Sequence, residues 1–153
     1  VTLQKELEFL NDYVTIEKVK YVELFDLKIE VEDERLYDAL IIKLTLQPLV
    51  ENAIFNGIEP AGKPGEIRIH VSQENDLLRI SVWDNGVGIP AEKLATILEH
   101  TEKVKGTAMS GIGLPNVDRR IKLNYGEQYG VKIRSRLGEY TEIVVEMPLE
   151  YAR

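Results

Sequence analysis

Leu3, Leu7, Leu10 and Val14 recur at steps of four, three and four, the spacing of a helical seam, and Phe9, Tyr13 and Ile16 widen its apolar face. Glu6, Glu8, Glu17 and Lys18 fall outside that stripe and read as solvated. The stripe is too short for a free-standing coiled coil. It packs either on its own domain or, as the tail of a dimerising helix, on a second copy. Residues 24–31 then alternate apolar and polar positions, the mark of a half-buried strand.

Asp33-Glu34 opens a long apolar stretch, residues 36–58, whose apolar positions 42, 46, 49, 50, 53 and 54 predict a helix, with Pro48 tolerated near the first turn of its second half. Residues 59–65 hold two prolines and two glycines and read as a loop. Two strands follow at 66–72 and 77–83, paired as a hairpin through the turn at 74–76. Pro90 starts a short helix to residue 98, residues 100–110 read as a loop, and a helix from 113 to 125 stops at Gly126. Strands at 131–137 and 141–147 form a second hairpin around Gly138-Glu139. This order predicts an α/β (α+β) two-layer sandwich: one mixed, mostly antiparallel sheet with helices on one face, preceded by an N-terminal helix.

With 153 residues the chain is one domain with room for a core. A formal charge of -7 argues against duplex nucleic acid or anionic lipid as a partner, so any anion must be held by local backbone amides. The lack of cysteine excludes disulfides and thiolate metal sites. No apolar run reaches the roughly 20 residues of a membrane span. The chain begins at Val1 within a helical pattern, as expected of a fragment.

Three motifs carry chemistry. In Asp84-Asn-Gly-Val-Gly88, Gly86 and Gly88 permit positive φ and close approach of a ligand to the main chain. Asp84, at a strand end, can accept a hydrogen bond from an amino group; the same motif also suits a plain turn. Glu51-Asn52 interrupts an otherwise apolar helix, where an acid and an amide call for partners. Magnesium, an oxygen-seeking cation that keeps several waters, is one such partner, and a structural hydrogen bond is another. Gly111-Ile-Gly-Leu114 precedes a helix whose free amides can cradle phosphate, or merely cap it.

In order and spacing these motifs resemble the GHKL ATPases, and Leu46-Gln-Pro-Leu-Val-Glu-Asn-Ala53 resembles the LytS-like sensor histidine kinases. The resemblance implies the ATP-binding catalytic domain of a two-component kinase, passing the γ-phosphoryl of Mg-ATP to a histidine upstream of this chain. It implies residues 1–20 as the end of a dimerisation or linker helix and 21–153 as the ATP-binding domain. It implies Asn52 as magnesium ligand and Glu51 as a holder of water or base. Asn56, Asp84, Gly86, Gly88, Gly111, Gly113, Leu114 and Thr141 would line the nucleotide, Thr141 beside the base. Arg120 reads as a phosphate contact or a surface cation. The implied partners are the protein's own phospho-acceptor helices, a response regulator and a second copy in the parent, and the implied place is a cytoplasmic domain of a membrane-anchored protein.

Two departures stand out. Phe55-Asn56-Gly57 occupies the place where relatives carry a basic residue and a histidine, and Tyr140 replaces the glycine before Thr141. No acceptor box of the His-Phe-Leu-Phe-Asn type occurs, and neither His70 nor His100 has an acceptor's helical context. A nucleotide-binding or docking module without catalysis, or another GHKL-type ATPase, are therefore the competing readings.

Overall fold

The computed structural model describes residues 1–20, 24–97 and 113–152. Five strands form one sheet, β1 (Phe25–Val31), β2 (Gly65–Glu74), β3 (Leu77–Asp84), β4 (Gly130–Arg136) and β5 (Tyr140–Pro148), in the order β1-β2-β3-β5-β4. β1 runs parallel to β2 and the remaining pairs are antiparallel. The alternation read from the sequence sets the two faces. Ile67, Ile69 and Val71 of β2, with Leu78, Ile80 and Val82 of β3, are buried under the helices. Truncating any one of these leucines or isoleucines to alanine would cost about 2–5 kcal/mol.

The opposite face is laced by cross-strand ion pairs. Lys132 and Arg79 both reach Glu146, Arg134 pairs with Glu142, and Arg68 lies 4.6 Å from the Trp83 ring centre. Such charges keep the helix-free face in water.

Helix α1 (Leu3–Lys20) lies on its own domain: Leu3, Leu7, Leu10 and Val14 are all buried. Two acids expected on the solvated side are buried as well, Glu6 at 3% exposure and Glu17 at 7%, whereas Glu8 is exposed. The side chain of Lys18 lies outside the described residues.

The single helix expected over 36–58 is divided. A 3-10 turn, Glu34–Asp38, is capped by Asp33, whose carboxylate accepts from the Arg35 amide. Residues 39–41 are then extended, because the Leu3 amide donates to the Ala39 carbonyl, Leu40 to Glu150, and Ile41 to Val1. These long-range bonds win over the local helical pattern. Helix α2 (Leu46–Asn52) begins beyond them and widens into a π segment, Ala53–Ile58. It then continues as α3 (Glu59–Ala61) into residues expected to be loop, and stops at Gly62 with φ 70°.

Two helices complete the described chain. α4 (Ala91–Leu94) follows Pro90, and α5 (Gly113–Tyr125) buries Leu114, Val117 and Ile121. The expected loop at 100–110, with His100, and the motif residues Gly111 and Ile112 lie outside the described residues.

Candidate functional site

Asp84 ends β3 on the helix-covered side of the sheet and is 1% exposed. Its Oδ1 accepts from the Gly86 amide at 2.8 Å, and among the described residues it has no ion pair. Burial pushes the carboxyl up to about 7, with the Gly86 hydrogen bond pulling the other way. A desolvated acid without a cation is poorly matched to its surroundings, and such groups concentrate where ligands bind.

The π segment packs on this acid and its loop. Gly57 faces Asp84, its carbonyl accepts from the Val87 amide at 3.1 Å, and a Cβ on Gly86 would sit 2.1 Å from the Gly57 carbonyl carbon. A single π turn is a common local device at binding sites. Here it brings a helix backbone against a glycine loop. Gly88 has φ 74° and lies against the Arg136 carbonyl, so the loop is held closely on its far side too.

Thr141 on β5 is the register partner of Asp84 and is 3% exposed. Its Oγ1 lies 2.9 Å from Ser135 Oγ. Ser135 accepts from the Ile89 amide at 2.8 Å and donates to the Tyr140 carbonyl at 2.7 Å. Because that carbonyl can only accept, the single Ser135 proton is spent on it, and Thr141 donates to Ser135. The Thr141 oxygen is thereby left as an acceptor. Nothing in the sequence singles out Ser135; its place in the alternation of a strand gives no hint of a threefold hydrogen-bonding role.

Asn52 ends α2 and is buried at 7% exposure, with its Oδ1 accepting from Asn56 Nδ2 at 2.9 Å. A carbonyl oxygen has two lone pairs, so one remains for a further partner. Glu51 is half-buried and accepts from Gln47 Nε2 at 2.9 Å. Gly113 opens α5 with its Cα side against Pro48 of α2, and Leu114 is buried beneath it. The structure thus brings Asp84 and Gly86 onto Gly57, sets Thr141 beside Asp84 and Gly88 against Arg136, and joins the starts of α2 and α5 at Pro48. Arg120 is held within the chain. Its guanidinium donates to the carbonyls of Lys43 and Leu44 at 3.0 and 2.8 Å.

The chemistry of this donor set fits a nucleotide. A buried carboxyl group and a hydroxyl oxygen, both able to accept, lie side by side on β3 and β5 next to the glycine loop. Among the described residues no cluster of three or more His, Asp or Glu could hold a metal by itself. A metal here would rely on the one amide oxygen of Asn52 together with phosphate and water oxygens, a pattern that suits magnesium.

A mixed sheet with helices on one face, an amide-bearing helix and a glycine loop at a buried aspartate define the class. The chain belongs to the histidine kinase-, DNA gyrase B- and HSP90-like ATPases, whose family model matches residues 41–151. It is 38% identical over 148 residues to the sensor histidine kinase YesM of Bacillus subtilis, covering 97% of this chain and 24% of that protein. It is 37% identical over 135 residues to the sensor protein LytS of Staphylococcus epidermidis, covering 88% of this chain and 22% of that one. The chain therefore spans about a quarter of the curated relatives it matches. Its fold is that of the catalytic domain of histidine kinase ThkA, with a TM-score of 0.70 at 21% identity over 99% of this chain and 97% of that one.

Proposed function

We propose that this chain is the ATP-binding catalytic domain of a two-component sensor protein-histidine kinase. The observation that carries the reading is Asp84: a buried, cation-free carboxylate at a strand end, packed on Gly57 and paired with the acceptor oxygen of Thr141. Two acceptors side by side suit the amino group of adenine and disfavour a carbonyl in its place. The YesM and LytS relatives, both sensor proteins, support the signalling context.

In this reading Asp84 and Thr141 hold the base, and Gly86 and Gly88 admit it. Asn52 holds magnesium through its free lone pair, with Asn56 orienting the amide and Glu51 at hand for a water or a proton. The phosphates fall to Gly111, Gly113 and the main chain of Leu114. Magnesium, when bound, neutralises phosphate charge for a transfer that depends mainly on positioning. The γ-phosphoryl passes to a histidine upstream of Val1, on helices of which residues 1–20 form the end, while residues 21–153 bind ATP. A response regulator then receives it; a solved structure of ThkA in complex with the response regulator TrrA lends weight to that partner. The parent is a homodimer that presents this domain in the cytoplasm from a membrane anchor; among the described residues no helix is long and apolar enough to cross a membrane. Nucleic acid is not a partner.

One observation favours a second reading, a binding module without catalysis. Phe55 packs on the core and Asn56 spends an amide proton on Asn52, so no cation stands in this stretch of the π segment. Calorimetry with ATP, with and without magnesium, tests the binding common to both. Transfer to an added acceptor-helix fragment separates them, and phosphate release without any acceptor would point to a hydrolase instead.

A further inference from the structure

The turn at residues 43–46 is where three helices meet. Leu44 there adopts φ 63°, a left-handed conformation that a branched side chain resists. Thr45, at the N-cap position of α2, does not cap it: its backbone is helical and its hydroxyl donates to the Ile42 carbonyl. The role falls to Glu6, from another helix. Its buried carboxylate accepts from the amides of Leu44 at 3.1 Å, Thr45 at 3.0 Å and Leu46 at 3.3 Å. From the other side Arg120 of α5 binds the carbonyls of Lys43 and Leu44.

A negative charge at a helix start is favoured by the exposed amides and the dipole. Here that charge also fixes the strained turn, and it comes from α1. The helix it starts at Leu46 ends with Glu51 and Asn52, and at Pro48 it touches Gly113 of α5. No side chain of α1 takes part in the candidate site described above. Yet the seat of α1 sets where α2 begins.

We propose that Glu6 is a positioning residue for the nucleotide site: by capping α2 it ties the docking of α1 to the placement of Asn52. The inference rests on the ATP-binding reading given above. By linkage it runs both ways, so a ligand on Asn52 tightens α1 on the domain. Arg120 holds the same turn, so the two act as a unit.

Glu6→Gln keeps the size but turns an amino group toward a backbone amide. Leu10→Ala, a buried α1 residue away from the turn, serves as a control that loosens the helix without touching the cap. Magnesium-ATP affinity is measured by calorimetry on the whole chain at a temperature where circular dichroism shows all variants folded. Glu6→Gln is expected to bind roughly tenfold more weakly, in the range typical of lost outer-shell support, while Leu10→Ala stays near wild type. Equal affinity for Glu6→Gln and wild type overturns the proposal, and so does an equal drop in both variants. Hydrogen exchange without nucleotide gives an independent reading. The amides of α2 are expected to exchange faster in Glu6→Gln than in Leu10→Ala, and equal rates overturn the proposal. Failure of the wild type itself to bind ATP would instead sink the ATP reading, and exchange would still decide the role of Glu6.

Discussion

Gly57 and Asp84 meet with no space between them: a Cβ built on Gly57 would lie 2.4 Å from Asp84 Oδ1. A glycine inside a helical segment ordinarily weakens it by about 1 kcal/mol relative to alanine. Here the missing side chain is what lets the helix pack on the acid. Gly57→Ala is expected to push Asp84 off its position, lowering the melting temperature despite the better helix former and weakening ATP binding at least roughly tenfold. A variant with wild-type affinity and raised stability would show that the contact yields freely.

Asp84 itself links stability to pH. The folded chain holds its proton up to about pH 7, whereas the ordinary carboxyl value is 3.8. Between those values the folded state binds more protons than the unfolded one, so this group's contribution falls as pH rises. It is complete below the lower value and lost above the upper one, with a ceiling of about 4 kcal/mol. Asp84→Asn does not titrate. It is expected to be more stable than wild type at about pH 8, with the difference shrinking toward about pH 4. Urea titrations at both pH values check this. The same variant is expected to lose about 1.5–3 kcal/mol of ATP affinity, because an amide nitrogen would face the adenine amino group.

The strands were legible because alternation survives in any setting where one face is buried: Ile67, Ile69 and Val71 turn inward while Arg68, His70 and Ser72 turn outward. The motif carriers were legible too, since Asp84, Asn52 and Gly86 sit in local patterns. What escaped was long-range. Glu6 looked solvated because its partners, the amides of residues 44–46, lie about forty positions away. Residues 39–41 carried a helical pattern but are extended, since Val1, Leu3 and Glu150 supply their hydrogen bonds. Arg120 escaped for the same reason: its acceptors are backbone carbonyls 76 and 77 positions distant.

Ser135 ties the glycine loop to the β4–β5 hairpin through Ile89, Tyr140 and Thr141. Ser135→Ala leaves the Ile89 amide and the Tyr140 carbonyl without this partner and frees the Thr141 proton. A loss of about 1–3 kcal/mol is expected from buried groups left unsatisfied. Since a freed Thr141 hydroxyl can donate, discrimination between ATP and GTP is expected to narrow as well. Urea titration and competitive binding of the two nucleotides measure the two effects, and unchanged selectivity would remove Thr141 from base recognition.

Asn52→Ala removes the amide oxygen expected to meet magnesium. Asn56 then loses this one hydrogen bond, and the groups around Asp84 are expected to stay in place. Magnesium-dependent binding of ATP is expected to weaken roughly tenfold or more, with metal-free binding little changed. Calorimetry with and without magnesium reads the difference, and an equal gain from magnesium in both proteins would move the metal elsewhere.

The sharpest expectation concerns what this chain does not do alone. His70 lies in β2 on the open face of the sheet, 3.1 Å from Glu32, and the candidate site is on the covered side. Phosphoryl transfer needs the acceptor in line with the γ-phosphate, and a sheet separates His70 from it. His100 lies outside the described residues, and its sequence setting lacks the apolar seam of an acceptor helix. Incubated with γ-labelled ATP, the isolated chain is therefore expected to bind nucleotide without gaining acid-labile label. With an acceptor-helix fragment added, label is expected on that fragment, slowly, because Phe55 and Asn56 bring no positive charge to the phosphates. Label on the isolated chain that disappears in His70→Gln or His100→Gln would place the acceptor within this domain. Binding without transfer, even with the helix supplied, would favour the module that binds nucleotide and no longer passes it on.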